Sequence, residues 1–235
     1  MNKIDNRYQF INNYLKNWDS SNFNNLVLDA GAGERRIKKI FKNNNYLSQD
    51  FGEYKNGLHS TPPDYKNTWS KKWNSDKCDI ISDITAIPLE DNSIDLITCL
   101  EVIEHLPEPI RAFKELSRIV KKNGLIIISC PNLCIPHQEP FFFYSGFSKQ
   151  IFTDFITDNC NLEIVNYLEE GDFITGHFDQ LNALSISSNS IFIRSLIRGS
   201  IKIFQYFLTF LIKITKTKIP NSCSGYVIIY KKIGN

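Results

Sequence analysis

Residues 26–36 are the part of this sequence whose residue types and spacing best suit ligand chemistry. They read Leu-Val-Leu-Asp-Ala-Gly-Ala-Gly-Glu-Arg-Arg, an apolar strand that breaks into a Gly-x-Gly turn at Gly31 and Gly33. Because glycine has no Cβ, the backbone of such a turn can approach a flat or anionic ligand. A helix predicted from Glu34 would point its unpaired N–H groups at the same ligand. The pattern is typical of nucleotide-like cofactor sites, and an ordinary tight turn is the alternative.

The spacing of the glycines separates two classes of cofactor. A dinucleotide fingerprint, G-x-G-x-x-G, needs a third glycine at the position of Arg36, so this sequence is poorly suited to binding a pyrophosphate. Asp29 stands two residues before the first glycine, which suits a ligand with an ammonium or hydroxyl group near the turn. A nicotinamide oxidoreductase is therefore disfavoured.

Further acids lie at or near the ends of predicted strands. Asp50 ends the predicted strand 46–50, where a carboxylate can accept both hydroxyl protons of a ribose. Asp83 could instead cap a short helix, and Asp29 could cap a neighbouring turn. Asp95 stands at the head of a strand rather than at its carboxyl end, so it is predicted to be structural.

Four motifs in this order resemble the type 11 branch of the class I S-adenosylmethionine-dependent methyltransferases. Residues 29–33 resemble its motif I, D-x-G-x-G, and residues 79–95 resemble its D-x-x-x-L-P-F-x-D-x-S-F-D segment. Residues 101–106 read Glu-Val-Ile-Glu-His-Leu, as after the family's fourth strand, and residues 120–124 stand where L-K-P-G-G usually ends the next helix. The resemblance covers roughly residues 24–170.

The resemblance implies S-adenosylmethionine as cofactor and assigns residues to it. Asp50 would hold the ribose, Asp83 would meet the adenine amino group and Ile84 would pack on the adenine ring. The sequence departs from the family at Arg35, where a third glycine is usual. The residues expected to bind the cofactor are Asp29, Gly31, Ala32, Gly33, Asp50, Phe51, Asp83, Ile84 and Glu101.

The fold implied is α/β and Rossmann-like, with a mostly parallel seven-stranded sheet, helices on both faces and an antiparallel last strand. The whole chain, 1–235, is predicted to be one domain with an N-terminal helix 4–18, an aromatic loop 51–77 and a helical cap at about 172–219. The predicted strands are 26–30, 46–50, 78–82, 95–100, 125–129, 162–168 and 224–232, and the predicted helices within the core are 34–43, 109–121 and 148–159.

The acceptor side follows the fifth strand, in residues 131–148. Aromatic faces there could stack on a sugar, although at least two of the three phenylalanines 141–143 are expected to be buried in the core. Similar segments occur in family members associated with surface-polysaccharide and sugar methylation. His137, and after it His105, is the expected general base for a hydroxyl acceptor. Glu101, His137 and Tyr144 are expected to contact the substrate.

The composition of the chain limits which binding partners and which cellular compartment we expect. The net charge is +2 and no separate basic domain is present, so nucleic acid is not expected as a partner. The six cysteines are scattered and complete no zinc pattern, so no metal is predicted and a reducing cytoplasm fits best. The first twenty residues are too polar for a signal peptide.

Residues 191–214 form a predicted helix with a polar stripe, and Gly199 could split it. Its longest charge-free run, 203–212, is shorter than the roughly 20 residues of a spanning helix. Three interpretations remain: a substrate-binding cap packed on the core, a homodimer surface, or a basic amphipathic anchor at a membrane. The last would suit a lipid-linked glycan acceptor.

The sequence therefore predicts a methyltransferase acting on a small molecule, a hydroxyl of a sugar or glycan precursor. Two alternatives stay open. One is a methyltransferase acting on RNA or protein, although an Asn-Pro-Pro-Tyr motif is absent after the fourth strand, where residues 100–103 stand. The other is a cofactor-binding pseudoenzyme or partner subunit, which Arg35 in place of glycine allows.

Overall fold

The computed structural model describes residues 6–18, 25–41, 45–53, 77–171, 177–178, 181–182, 190–215 and 223–234. Seven strands in these residues form one sheet. The strands are β1 Leu26–Ala30, β2 Asn45–Asp50, β3 Ile80–Ile81, β4 Ile94–Leu100, β5 Val120–Pro131, β6 Leu162–Glu170 and β7 Gly225–Lys232. The helices are α1 Asn6–Trp18, α2 Pro109–Ile119, α3 Thr157–Cys160 and α4 Ile191–Thr215.

The order of the strands across the sheet, β3-β2-β1-β4-β5-β7-β6, places a crevice at its centre. β1 pairs in parallel with β2 on one side and with β4 on the other. The order in which the strands are added to the sheet therefore reverses direction at β1. In open α/β sheets, ligands bind at the carboxyl ends of the strands beside such a switch point. β7 runs antiparallel between β5 and β6, which confirms the antiparallel last strand.

Continuous apolar strands explain why both faces of the sheet are covered. Val27 and Leu28 are adjacent and both fully buried, so they face opposite sides of the sheet. One face packs against α2, where Phe113 and Leu116 are buried. The other face packs against α1, which contributes Ile11 and several half-buried aromatic rings. The predicted helices on both faces are confirmed.

The predicted helix 34–43 is wrong in type. The chain forms turns over 33–37 and a short 3-10 helix, Lys38–Ile40. Arg35 has a left-handed backbone with φ 54°, which an α-helix cannot contain. Four like charges within residues 35–39 also face one another at helical spacing, which disfavours the helix further.

Other elements differ from the predictions mainly in length. The strand predicted over 125–129 is part of a longer β5, Val120–Pro131, and the one predicted over 78–82 is reduced to β3, Ile80–Ile81. The helix predicted over 148–159 is a wide π-helical turn, Ile151–Ile156, which continues into α3. Most of the predicted aromatic loop, residues 54–76, lies outside the described residues.

Asp95 has the structural role predicted for it. Its Oδ2 accepts a hydrogen bond from the backbone N–H of Leu26 at 2.9 Å, and its Oδ1 lies 2.8 Å from the Nζ of Lys121. The side chain thus joins the starts of β1 and β4 at the edge of the sheet remote from the crevice.

Helix α4, Ile191–Thr215, lies in the segment predicted to be a cap. It runs continuously through Gly199, and none of its residues is buried, although several are half-buried. The ring of Phe204 contacts that of Phe178, at 5.8 Å between centroids. Of the helices in the described ranges, it alone is long and apolar enough to cross a membrane by length and composition.

Candidate functional site

The glycine turn lies at the crevice and has the backbone that glycine is needed for. Gly31 and Gly33 have φ of 70° and 48°, in the left-handed region. The N–H of Ala32 donates to the carbonyl of Gln49 at 2.8 Å, which ties the turn to β2. A Cβ added at Gly31 would lie 2.4 Å from a methyl group of Val102. The side chain of Val102 therefore packs closely against the turn.

Arg35 keeps the turn in shape although it stands where the family usually has glycine. Its φ of 54° is in the left-handed region that glycine favours. Its backbone N–H donates to the carbonyl of Ala32 at 2.7 Å, and its Nη1 donates to the carbonyl of Lys77 at 2.9 Å. These bonds hold the strained backbone, so the departure from the family pattern changes the residue and not the path of the chain.

Asp50 lies where β2 ends and holds the glycine turn. Its Oδ2 accepts from the N–H of Gly33 at 2.9 Å, and its Oδ1 accepts from the N–H of Gly52 at 3.1 Å. The residue is 4% exposed, and burial raises the pKa of its carboxyl although the backbone N–H groups lower it. The backbone N–H of Phe51 is a third donor to this carboxylate. Because a carboxylate can accept about four hydrogen bonds, acceptor capacity remains for about one hydrogen bond from the ribose.

Asp29 lies beneath the turn rather than at its surface. Its Oδ2 accepts from the hydroxyl of Tyr46 at 2.6 Å, and its Oδ1 accepts from the hydroxyl of Thr98 at 3.0 Å. Burial raises its pKa to about 6, which these two hydrogen bonds oppose. The carboxyl group joins β1, β2 and β4 at the base of the predicted cofactor site.

The structure places the residues predicted to contact adenine in different environments. Asp83 is exposed and closes a turn, because its Oδ1 accepts from the N–H and the hydroxyl of Thr85 at 2.8 and 2.9 Å. Ile84 is 5% exposed and belongs to the core. Phe51 lies edge-on to Phe141 with 5.0 Å between ring centroids, which joins the end of β2 to the loop after β5.

Glu101 begins the segment after β4 and connects it to α1. Its φ is 55°, and its Oε1 accepts from the hydroxyl of Ser129 at 2.9 Å. The same oxygen lies 2.8 Å from Nη1 of Arg7, whose Nε contacts Glu170 at 2.8 Å. Arg7 was not foreseen from the sequence, because nothing in a lone arginine of the first helix indicates which strand end it reaches.

The two histidines predicted for catalysis come together in this structure. His105 and His137 lie edge to face with 4.9 Å between ring centroids. Nδ1 of His105 is 2.6 Å from the carbonyl of Phe141, and Nδ1 of His137 is 2.9 Å from the carbonyl of Ile135. A carbonyl only accepts, so each Nδ1 carries a proton, and Nε2 is the nitrogen that presents a lone pair in the neutral form of either ring. Burial lowers the pKa of His105 to about 4, which keeps that ring neutral at pH 7.

Glu104 is buried beside these histidines. It is 1% exposed, and its Oε1 lies 3.8 Å from Nε2 of His105. Burial and the negative charge of Glu101 raise the pKa of Glu104 well above its usual range. Its backbone carbonyl accepts from the N–H groups of Phe143 and Tyr144 at 3.1 and 3.2 Å, which seats the loop after β5 on the turn after β4. Glu104 is not among the site residues predicted from the sequence.

The aromatic residues of that loop line the histidine pair. None of the phenylalanines 141–143 is buried, and Phe143 is 47% exposed, so the prediction that at least two of them are core residues is wrong. The ring of Phe142 lies 5.0 Å from that of His137. The hydroxyl of Tyr144 donates to the carbonyl of Pro107 at 3.1 Å, which ties the loop after β5 to the segment after β4.

Comparisons of sequence place this arrangement in a family. A family model described as a methyltransferase domain, Methyltransf_11, matches residues 28–128. A protein of Mycobacterium tuberculosis named as a probable S-adenosylmethionine-dependent methyltransferase is 35% identical over 51 residues, which are 22% of this chain and 19% of that protein. The 2-methyl-6-phytyl-1,4-hydroquinone methyltransferase of Synechocystis is 26% identical over 129 residues, and the match covers 50% of this chain and 36% of that enzyme. The chain thus spans well under half the length of these relatives.

Solved structures share the fold. A SAM-dependent methyltransferase from Archaeoglobus fulgidus superposes with a TM-score of 0.53 at 18% identity, covering 96% of this chain and 94% of that one. The geranyl diphosphate C-methyltransferase of Streptomyces coelicolor superposes with a TM-score of 0.51 at 11% identity, covering 95% and 77%. The glycine turn and the strand order agree with the family match: residues 28–128 are similar to the methyltransferase domain family, and the whole chain has the fold of solved S-adenosylmethionine-dependent methyltransferases.

Proposed function

We propose that this chain is a methyltransferase that uses S-adenosylmethionine to methylate a hydroxyl group of a small molecule, a sugar or a glycan precursor. The observation that carries the proposal is the contact of two histidines at the end of the sheet where the glycine turn also lies. His105 and His137 lie 4.9 Å apart between ring centroids, on loops that follow the neighbouring strands β4 and β5. A hydroxyl acceptor needs help in losing its proton, whereas an amine acceptor needs less.

The residues at the turn fit the cofactor. Asp50 has acceptor capacity for about one hydrogen bond from the ribose at the end of β2, and Gly31 and Gly33 keep the backbone open above it. Glu101 stands at the end of β4, with its side chain 40% exposed, where a carboxylate suits the ammonium of the methionine end. When bound, the cofactor supplies a methyl group on a sulfonium, which is already an activated leaving group.

The protein's part in the reaction is alignment and proton removal. An acceptor oxygen attacks the methyl carbon in line with the breaking carbon–sulfur bond, whose electron pair stays on sulfur, and the hydroxyl proton leaves the oxygen. Alignment of this kind supplies much of the rate enhancement. His137, half-buried at the mouth, is the first candidate to assist proton removal, and the more buried His105 is the second.

The aromatic loop supports a sugar as acceptor. Phe142 and Phe143 are accessible beside the histidines, and aromatic faces pack well on the C–H surfaces of a sugar ring. Tyr144 is held at the same mouth by its bond to Pro107. An RNA or protein acceptor is the alternative, as is a partner subunit that binds the cofactor without turnover.

Replacing His137 by Ala is expected to lower kcat about a hundredfold, within the range for loss of general acid–base assistance, while cofactor affinity stays unchanged. The assay measures S-adenosylhomocysteine released with free sugars, nucleoside-diphosphate sugars and polyprenyl-linked saccharides as acceptors. Glu163→Gln is the control, since Glu163 lies at the start of β6, the end of that strand remote from the crevice. Full activity of the His137 variant contradicts the role. Binding without turnover on any acceptor favours the partner subunit.

A second part of the proposal is that α4 lies in the surface of an anionic membrane, with the enzyme in the cytoplasm. The polar stripe contains Arg194, Arg198 and Lys202 at intervals of four residues, and Lys213 continues it. The helix carries no acid, and its apolar side chains are exposed around the remaining circumference. Such a helix binds an interface by apolar burial and by attraction to anionic lipid.

The membrane proposal predicts that the chain binds vesicles containing phosphatidylglycerol in a salt-dependent way. Changing Arg194, Arg198 and Lys202 together to Gln is expected to weaken binding about a hundredfold, from about 1 kcal/mol for each basic residue near the surface. Co-sedimentation measures it, and Lys114→Gln on α2 is the control. Equal binding by the triple variant overturns the proposal. Self-association of the chain without vesicle binding, detected by light scattering, identifies α4 as a homodimer surface instead.

A further inference from the structure

Three side chains with metal-binding atoms converge at the acceptor side of the crevice. One ligand atom each from Glu104, His105 and His137 lies within 4.8 Å of the other two. Glu104 and His105 belong to the short 3-10 turn after β4, and His137 belongs to the loop after β5. The sequence predicted no metal site, because His137 stands more than thirty positions after the adjacent pair Glu104 and His105 and no cysteine completes a pattern with them.

The histidines are oriented as metal ligands are. In known metal sites, the ring nitrogen that does not bind the ion usually donates to a backbone carbonyl or a carboxylate, which fixes the tautomer. Both Nδ1 atoms here make such a bond, His105 to Phe141 and His137 to Ile135. Both Nε2 lone pairs are left for the space between the rings and Glu104.

Glu104 gives the second, independent observation. Its Oε2 is buried and has no hydrogen-bond partner in the described structure, and the residue is 1% exposed. Its Oε1 lies 3.8 Å from Nε2 of His105, too far for a hydrogen bond. The carboxyl group of Glu104 and Nε2 of His105 therefore face each other inside the protein without a hydrogen bond between them, and a buried polar group without a partner is costly. A cation between them satisfies both.

We propose that Glu104, His105 and His137 bind a divalent transition-metal ion, of which Zn²⁺ is the best match. Two imidazoles and one carboxylate are a ligand set of catalytic zinc sites, which keep a further position open. Mg²⁺ and Ca²⁺ prefer oxygen ligands, so two nitrogens disfavour them. Bonds of about 2.0–2.2 Å require the three atoms to draw closer on binding. His137, on a loop and half-buried, is the ligand best able to move.

The metal deepens the proposed function and rests on it, because the open position faces the site assigned to the acceptor. An acceptor hydroxyl bound there loses its proton more readily, as water does on zinc. The proton passes to solvent, the oxygen forms its bond to the methyl carbon, and the carbon–sulfur bond breaks with its electron pair on sulfur. The histidines then assist proton removal by holding the ion.

The test uses Co²⁺ as a spectroscopic probe of the full chain after treatment with a chelator. One equivalent of Co²⁺ is expected to bind with visible absorption bands of a low-coordinate nitrogen and oxygen site, and Zn²⁺ is expected to displace it whereas Mg²⁺ is not. His137→Ala and Glu104→Gln are each expected to weaken binding at least tenfold. Cys134→Ser is the matched control, because this half-buried thiol lies on the same loop outside the ligand set.

The proposal is overturned if Co²⁺ gives no bands, or if both variants bind it as tightly as the unchanged chain does. His137→Ala keeps the test valid should Glu104→Gln fail to fold, since His137 is half-buried on a loop. Titration of the metal-free chain with S-adenosylmethionine separates the two proposals. Cofactor binding without metal binding removes the metal site alone, and metal binding without cofactor binding removes the proposed function alone.

Discussion

Replacing Asp50 by Ala is expected to lower the affinity for S-adenosylmethionine by about tenfold to a hundredfold, the effect of losing hydrogen bonds to a charged group. The Asp50 carboxylate is expected to contribute to cofactor affinity in two ways. We propose that it accepts a hydrogen bond from the ribose, and it holds the glycine turn through the N–H of Gly33. Isothermal titration calorimetry with the cofactor measures the change directly.

Asp50→Asn separates the two contributions. The amide oxygen can still accept from one backbone N–H, so the turn is expected to keep most of its stability while ribose recognition weakens. Thermal unfolding of both variants reports the turn, and calorimetry reports the cofactor. Asp91→Asn, an exposed carboxyl group paired with Arg118 away from the crevice, is the control. Affinity of Asp50→Ala equal to that of the unchanged chain would remove the ribose assignment.

The second large effect is expected from Gly31→Ala, which should abolish measurable cofactor binding and destabilise the fold by about 1–3 kcal/mol. The φ of Gly31 is 70°, and a Cβ there would lie 2.4 Å from Val102. The neighbouring atoms belong to a branched side chain, so the backbone of the turn must shift away from its present path. Chemical denaturation and calorimetry together measure the outcome.

Gly199→Ala is the matched control for that substitution. Nothing lies within 4 Å of a Cβ at Gly199, which sits in the exposed helix α4. This variant is expected to keep full affinity and to gain about 0.5–1 kcal/mol of helix stability. Val102→Ala combined with Gly31→Ala should recover part of the lost stability, since the two sites are in contact. Unchanged affinity of Gly31→Ala alone contradicts the role of the turn.

Much of the fold could be predicted because it is determined locally. β1 and β4 are short apolar runs buried on both faces, and such runs between polar turns indicate central parallel strands. Gly31 and Gly33 could be assigned to the turn because few residue types tolerate the backbone there. The position of Asp50 at a strand end follows from the same pattern.

The remaining features depend on contacts between distant parts of the chain. The left-handed backbone of Arg35 is held by bonds to Ala32 and to Lys77, 42 residues away, which no local pattern reveals. The surroundings of α4 depend on distant parts of the chain, and its amphipathic pattern allows a cap, a dimer surface or a membrane anchor. None of its residues is buried in the structure, although several are half-buried.

The candidate site was partly predictable for the same reason. His105 and His137 were selected by residue type, whereas their contact at 4.9 Å required the loop after β5 to bind the carbonyl of Glu104. The burial of Glu104 could not be foreseen, because a glutamate next to a histidine is usually solvated. The metal-binding interpretation therefore arises from the structure alone.

The most direct test of the account is calorimetric titration of the purified chain with S-adenosylmethionine, S-adenosylhomocysteine and NADH. The arrangement of Gly31, Gly33 and Asp50 predicts micromolar binding of both sulfur nucleotides, at one molecule per chain, and no binding of NADH. Binding of NADH, or failure of both sulfur nucleotides to bind, would contradict the cofactor assignment on which the proposed function depends.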